Sequence, residues 1–69
     1  MKISVNGKEK KIELENEKAL LSRTLEFLGY KQNTVVVEVN DLMINSKKWE
    51  REILKEGDKL EIVSIVGGG

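Results

Sequence analysis

Apolar and polar residues alternate at the start of the chain, which is typical of strands with one buried face. Asn6 and Gly7 interrupt the alternation, and these residue types accept the positive φ angles of a two-residue type I′ turn. The pattern therefore predicts a β-hairpin. Its inward face consists of Ile3, Val5, Ile12 and Leu14.

The apolar spacing becomes helical in the next stretch, ENEKALLSRTLEFLGY. An apolar stripe at i, i+4 and i+7 is typical of an amphipathic helix that packs on a sheet. The stripe consists of Leu21, Leu25 and Leu28, flanked by Leu20 and Phe27. We predict a helix from about Lys18 to Leu28, with Asn16 as its N-cap and Gly29 in the left-handed conformation that ends it.

Two later apolar stretches predict strands. In TVVVEVN, the alternation predicts a central strand with Val35, Val37 and Val39 inward and Val36 and Glu38 outward. Asn40-Asp41 predicts a turn into the short strand LMI. After the turn EGD, the stretch KLEIVSIV predicts a last strand with Leu60 and Ile62 inward and Val63 and Ile65 outward.

Between these strands, NSKKWEREIL predicts a short helical turn, because it starts with capping residues and carries Trp49 and Ile53 four residues apart. We expect Trp49 to close one end of the core. The chain has no second aromatic residue beside Trp49 with which it could form a platform for stacked bases.

The order of these elements predicts the fold. A hairpin followed by a helix and further strands needs a helical crossover, which favours a mixed sheet around one helix. We therefore predict an α+β fold of the ubiquitin-like β-grasp type, with roughly four to five strands and a short helical turn. Residues 1–66 are expected to form this domain, and residues 67–69 a flexible glycine tail.

Composition narrows the possible functions. The 69 residues include no histidine and no cysteine, which removes the usual general base, thiolate metal sites and the iron–sulfur ligands of β-grasp ferredoxins. The 12 basic and 12 acidic residues alternate, so no concentrated basic face for nucleic acid is predicted. No signal peptide or membrane-spanning run is evident. We expect a cytoplasmic protein that is not an enzyme by itself and binds neither metal nor cofactor, nucleic acid nor membrane.

Over its whole length the chain resembles the ThiS-type sulfur carriers of thiamin biosynthesis, a ubiquitin-like family. The resemblance consists of the VNG hairpin, the single helix, VVVEVND before a short strand, the polar turn with Trp49, EGDKLEIV and the terminal glycines. The family pattern ends in two glycines. Here Gly67 adds a third before Gly68 and Gly69, which lengthens the tail without contradicting the match.

The resemblance implies that the Gly69 carboxylate is adenylated and then converted to a thiocarboxylate, which donates sulfur for thiazole formation. It implies a ubiquitin-activating-type adenylating enzyme (ThiF-like) that uses Mg-ATP, a thiazole synthase (ThiG-like) and a sulfur relay from a cysteine desulfurase. The chain lacks an evident set of groups to manage phosphate charge, so the enzyme must supply them. Gly67 and Gly68 add no side chains, and three extended residues would carry the carboxylate roughly 10 Å through a narrow channel.

A docking surface on the folded domain should offset the cost of ordering the tail, roughly 1–2 kcal/mol per residue. The candidates are the outward-facing Val63 and Ile65 directly before the tail, with Val36 and Leu42 as further members.

The sequence leaves other functions open. A small-subunit-type carrier of molybdopterin synthase uses the same chemistry, although the short chain favours the thiamin carrier. A ubiquitin-like modifier would instead form isopeptide bonds through Gly69, and a pure interaction module would have an inert tail.

Overall fold

The computed structural model describes residues 1–13 and 19–65. Their elements are β1 (Lys2–Val5), β2 (Lys8–Lys11), α1 (Leu21–Leu28), β3 (Val35–Val39), β4 (Leu42–Ile44), a 3₁₀ helix (Ser46–Lys48) and β5 (Lys59–Ser64). The strands form a five-stranded sheet in the order β2-β1-β5-β3-β4. β1 and β5 run parallel, and the other neighbours are antiparallel. One helix on a mixed five-stranded sheet is the predicted β-grasp fold.

The N-terminal hairpin forms as predicted. Asn6 and Gly7 have φ angles of 51° and 83°, the left-handed values that a two-residue turn between twisted strands requires. Ile3 and Val5 are buried on β1, and Ile12 is buried just after β2. The prediction for Leu14 lies outside the described residues.

The helix begins later than predicted. Leu20 has an extended backbone and forms an isolated bridge with Ile53, so α1 starts only at Leu21. The predicted N-cap Asn16 and the predicted start Lys18 lie outside the described residues, but the N-cap of α1 is Leu20, and no side chain caps the helix.

Main-chain carbonyls take the place of a capping side chain. The N–H of Leu21 donates to the carbonyl of Glu52 at 2.8 Å, and the N–H of Ser22 donates to that of Trp49 at 3.0 Å. The first N–H groups of any α-helix lack partners within the helix. Here the segment after the 3₁₀ helix supplies them, which explains why the helix starts where that segment packs.

The C-terminal end of the helix agrees with the prediction. Gly29 is left-handed with φ 92°, and the N–H of Tyr30 donates to the carbonyl of Leu25 at 2.9 Å, as in a Schellman motif. Leu21 and Leu25 are fully inside the core, whereas Phe27 is exposed.

The helical turn is short, and only part of its predicted face is buried. Asn45 Oδ1 accepts a hydrogen bond from the N–H of Lys47 at 2.9 Å and so caps the 3₁₀ helix. Trp49 is buried as predicted, and its Nε1 donates to the carbonyl of Ile44 at 3.0 Å. The prediction that Ile53 shares a helical face with Trp49 is wrong. The chain is no longer helical there, so Ile53 is exposed and its neighbour Leu54 is buried.

The core lies between α1 and the inward face of the sheet. It consists of Ile3, Val5, Ile12, Leu21, Leu25, Val35, Val37, Val39, Ile44, Trp49, Leu54, Leu60 and Ile62. The predicted inward residues of β3 and β5 are all among them. None of the helices in the described ranges is long and apolar enough to cross a membrane.

Candidate docking surface at the root of the C-terminal tail

The last strand brings two apolar side chains to the outer face of the sheet, which faces away from α1. Val63 is 58% exposed and Ile65 is 49% exposed. β5 ends at Ser64, but the N–H of Ile65 still donates to the carbonyl of Thr34 at 2.9 Å. The ladder with β3 therefore continues by one residue, which keeps Ile65 on the same face as Val63.

The neighbouring strand adds a third apolar side chain to this face. Val36 of β3 lies directly opposite Val63 in the antiparallel pairing. Directly opposite residues of a sheet point to the same side, and their Cβ atoms lie within roughly 4.5–5.5 Å. Three of the four predicted docking residues therefore lie together at the point where the chain leaves the sheet.

The fourth predicted residue, Leu42, lies elsewhere. It is 67% exposed but is paired with Val39, a core residue, so it lies on the helix side of the sheet at the edge strand β4. Its neighbour Met43 is 64% exposed and is paired with Glu38, which places it on the outer face, diagonal to Val36. We call Met43, Val36, Val63 and Ile65 the outer apolar strip.

A pair of carboxylates borders this strip. Glu38 of β3 and Glu61 of β5 lie directly opposite each other on the outer face. Neither forms an ion pair with another group in residues 1–13 and 19–65. Beyond them, the outer face of β1 and β2 is polar and includes the ion pair of Lys2 and Glu9, at 3.8 Å. The strip is thus the apolar end of an otherwise charged face.

An asparagine holds β5 near the middle of the strand. The N–H of Ile62 donates to Asn6 Oδ1 at 2.7 Å, and Asn6 Nδ2 donates to the carbonyl of Ile62 at 3.1 Å. The side-chain amide thus makes the two hydrogen bonds that a neighbouring strand would make.

A second asparagine holds the start of the same strand. Asn40 Oδ1 accepts from the N–H of Lys59 at 3.0 Å, and Asn40 Nδ2 donates to Asp58 Oδ1 at 3.0 Å. Asn6 and Asn40 both occupy turns with positive φ, so each serves a turn and β5 at once. The sequence indicated the turns but not the contacts with β5.

The described residues offer little other chemistry. They contain no group of three or more acidic, cysteine or histidine residues arranged to hold a metal ion. A groove of about 550 Å³ lies between α1 and the 3₁₀ helix, with Tyr30 and Trp49 in its wall. It is on the helix side, away from the outer apolar strip. The predicted reactive residue Gly69 and the threading residues Gly67 and Gly68 lie outside the described residues.

Comparisons with known proteins agree with this architecture. The chain is similar over its full length to the crystal structure of a thiamine biosynthesis protein (ThiS) from Geobacter metallireducens, with 28% identity, a TM-score of 0.81 and 100% of both chains covered. A solution structure of a thiamine biosynthesis protein from the same organism gives 28% identity and a TM-score of 0.78, covering 100% of this chain and 88% of the other.

Curated relatives are similar over a shorter part. The uncharacterized protein ycf40 of Trieres chinensis is 40% identical over 45 residues, which covers 65% of this chain and 62% of that protein. The ycf40 protein of Pyropia yezoensis is 38% identical over 45 residues and is covered to 63%. The chain thus spans less than two thirds of the length of these two relatives. The model of the ThiS family matches residues 3–69, and the chain therefore belongs to the ThiS family.

Proposed function

We propose that this chain is a sulfur carrier of thiamin biosynthesis whose Gly69 carboxylate carries the sulfur. The observation that carries the proposal is the family match, which extends from residue 3 through the three terminal glycines. The fold supports it, because the outer apolar strip lies at the end of β5, a few residues before that carboxylate. The partners in this proposal are a ThiF-like adenylating enzyme, a ThiG-like thiazole synthase and a sulfur relay from a cysteine desulfurase.

The chemistry takes place at one carbon atom. A carboxylate oxygen of Gly69 attacks the α-phosphate of ATP, and pyrophosphate leaves to give an acyl adenylate. A sulfide-level nucleophile then attacks the acyl carbon, and AMP leaves with the bonding electrons, so that one terminal oxygen has been exchanged for sulfur. Mg²⁺ and cationic groups of the enzyme stabilise the phosphate charge in the first step. The carrier contributes the carboxylate and its placement.

The outer apolar strip has a defined part in this proposal. Ordering the last residues in an enzyme channel costs roughly 1–2 kcal/mol each. Burial of Val63, Ile65 and Val36 against the adenylating enzyme offsets that cost, since apolar burial contributes about 25 cal/mol per Å². The strip lies where β5 leaves the sheet, so docking and tail insertion take place side by side.

The position of the terminal carboxylate provides the test. We expect deletion of Gly69, or extension by one residue, to abolish ATP–pyrophosphate exchange by the adenylating enzyme. Either change displaces the acyl group by roughly 3.5 Å, and catalysis depends steeply on such placement. Thermal unfolding should not change. Gly68→Ala tests the passage separately, because an added Cβ slows activation where the channel is narrow.

Mass spectrometry of the intact carrier completes the test. After incubation with the adenylating enzyme, Mg-ATP and sulfide, the parent chain should exchange one terminal oxygen for sulfur, and the Gly69-deleted chain should not. Equal adenylation of the deleted chain at its new end would contradict the proposal. Stable isopeptide conjugates of Gly69 with lysines of other proteins would instead indicate a ubiquitin-like modifier.

A further inference from the structure

We propose that the side chain of Asn6 is a positioning residue for the reaction at the C-terminus, because it fixes the strand from which the tail leaves. This inference rests on the proposed function. It assigns to Asn6 a part in activation that is separate from its part in the hairpin turn.

β1 ends before β5 does. β1 pairs with β5 at two positions, Ser4 with Lys59 and Val5 with Leu60, and the N–H of Asn6 adds a bond to the carbonyl of Leu60 at 2.9 Å. The chain then turns away at Gly7 into β2. β5 continues past this point, so its main-chain groups on the β1 side need another partner.

Asn6 supplies that partner through its side chain. Its amide accepts from the N–H of Ile62 and donates to the carbonyl of Ile62, which extends the support of β5 by two residues. In an antiparallel ladder, alternate residues direct both main-chain groups to the same side. Ser64, two residues after Ile62, therefore points its N–H and carbonyl to the side where β1 has already ended.

Past Ile62, the described contacts hold β5 from one side only. β3 pairs with Val63 and Ser64, and the carbonyl of Thr34 accepts from Ile65. Among the described residues, Asn6 thus makes the last contact with β5 from the β1 side. The residue it contacts, Ile62, lies seven residues before Gly69. Loss of its amide would leave the end of β5, from which the tail continues, attached to β3 alone.

The turn by itself does not require an asparagine. Asn6 has φ 51°, a left-handed value that glycine adopts at no steric cost. Asn6→Gly therefore keeps the turn conformation and removes only the two side-chain bonds to Ile62. This makes it a clean test of the positioning role.

Asn40 offers a matched control. It also lies in a hairpin turn, with φ 50°, and its side chain also accepts a hydrogen bond from β5, at Lys59. Lys59, however, is at the other end of the strand, ten residues before Gly69. Asn40→Gly therefore weakens the hold on the same strand without loosening the root of the tail.

The experiment compares these two variants in two assays. Amide hydrogen exchange of the carrier alone should become faster at Ile62 in Asn6→Gly, and faster at Lys59 in Asn40→Gly. With the adenylating enzyme, Asn6→Gly should lower kcat of ATP–pyrophosphate exchange by about tenfold or more, since a misplacement of 1 Å can cost about 100-fold. KM should change by less than about twofold, because the substitution leaves the outer apolar strip unchanged. Asn40→Gly should keep both constants.

Several outcomes would overturn the proposal. Equal losses of kcat in both variants would show that Asn6 acts only through stability, and an unchanged kcat in Asn6→Gly would show that the hold on Ile62 does not position the tail. If Asn6→Gly does not fold, Asn6→Asp replaces it. That variant keeps an acceptor for the N–H of Ile62 but has no donor for its carbonyl, and it too should lose kcat without a matching change in KM.

The two proposals fail in different ways. A parent chain that is not activated at all would refute the proposed function and, with it, the role of Asn6 in activation. Hydrogen exchange needs no partner enzyme. Unchanged exchange at Ile62 in Asn6→Gly would refute the hold on β5 even where the parent chain is activated normally.

Discussion

The two faces of β3 and β5 both carry branched apolar side chains, but one face is buried and the other is exposed to solvent. Val37 and Ile62 face α1 and are buried. Their chain neighbours Val36 and Val63 face outward. Val36 is half-buried, and Val63 is 58% exposed. The paired strands put Val37 opposite Ile62 and Val36 opposite Val63. Hydrophobicity alone therefore does not separate the core from the outer apolar strip, whereas the register of one pair of strands does.

This arrangement uses one strand both for the core and for the outer apolar strip. Leu60 and Ile62 fix β5 in the core, and the same strand displays Val63 and Ile65 at a defined place. A small domain has few elements to spare, since a chain of this size buries only about 60% of the surface its unfolded form exposes. Because both faces of β5 are used, the core residues of this strand also fix the position of Val63 without a further element.

The largest effect is expected from a comparison of two adjacent residues of β5. Ile62→Ala should reduce the free energy of unfolding by about 2–5 kcal/mol, because it removes buried methyl groups and leaves a cavity. Val63→Ala should change it by no more than about 0.5 kcal/mol, as is usual for exposed sites. Urea denaturation of both variants measures the difference.

A core this small supplies only about 3–5 kcal/mol, so Ile62→Ala should leave much of the protein unfolded at room temperature. Similar losses for the two variants would contradict the assignment of faces. They would show that a contact covers Val63 in the free protein.

The next effect concerns binding rather than folding. Ile65→Glu should weaken binding to the adenylating enzyme by at least about tenfold, which equals 1.4 kcal/mol, because a charge replaces an apolar contact in the proposed interface. Leu42→Glu is the control, since Leu42 is also an exposed apolar residue but lies off the strip, on the helix side of β4. Titration calorimetry gives both dissociation constants.

Two results would change the picture of the interface. If Ile65→Glu unfolds the protein, Ile65 belongs to the core. If Leu42→Glu weakens binding as strongly, the interface reaches around the edge strand β4, as the sequence suggested.

The sequence predicted most of the fold because its signals are local. Asn6-Gly7, the stripe of Leu21 and Leu25 and the alternation of the valines each specify one element through turn geometry or apolar period. The order of these elements along the chain then allows only a few sheet topologies. The sequence does not reveal the start of the helix, because its first N–H groups bind the main-chain carbonyls of Glu52 and Trp49, and no local residue signals such a distant contact.

The four predicted docking residues do not all lie on one face of the sheet, for a reason that lies in strand pairing. The two-residue turn Asn40-Asp41 pairs Val39 with Leu42, which puts Leu42 on the inward side and Met43 on the outer face. This register follows from the length of the turn, so the face on which each of Leu42 and Met43 lies can be derived from the sequence. The contacts of Asn6 with Ile62 cannot, because they join residues 56 positions apart.

The smallest effect is expected where the outer face carries two like charges. Glu38 and Glu61 lie directly opposite each other, and like charges in such pairs are destabilising. Glu61→Lys should therefore raise the free energy of unfolding by about 0.2–1 kcal/mol, and the gain should shrink at high salt. Glu50→Lys makes the same change of net charge at an exposed site outside the sheet and should give no comparable gain. Equal gains in the two variants would indicate a general charge effect, whereas a gain confined to Glu61→Lys would show that repulsion between β3 and β5 destabilises the sheet beside the outer apolar strip.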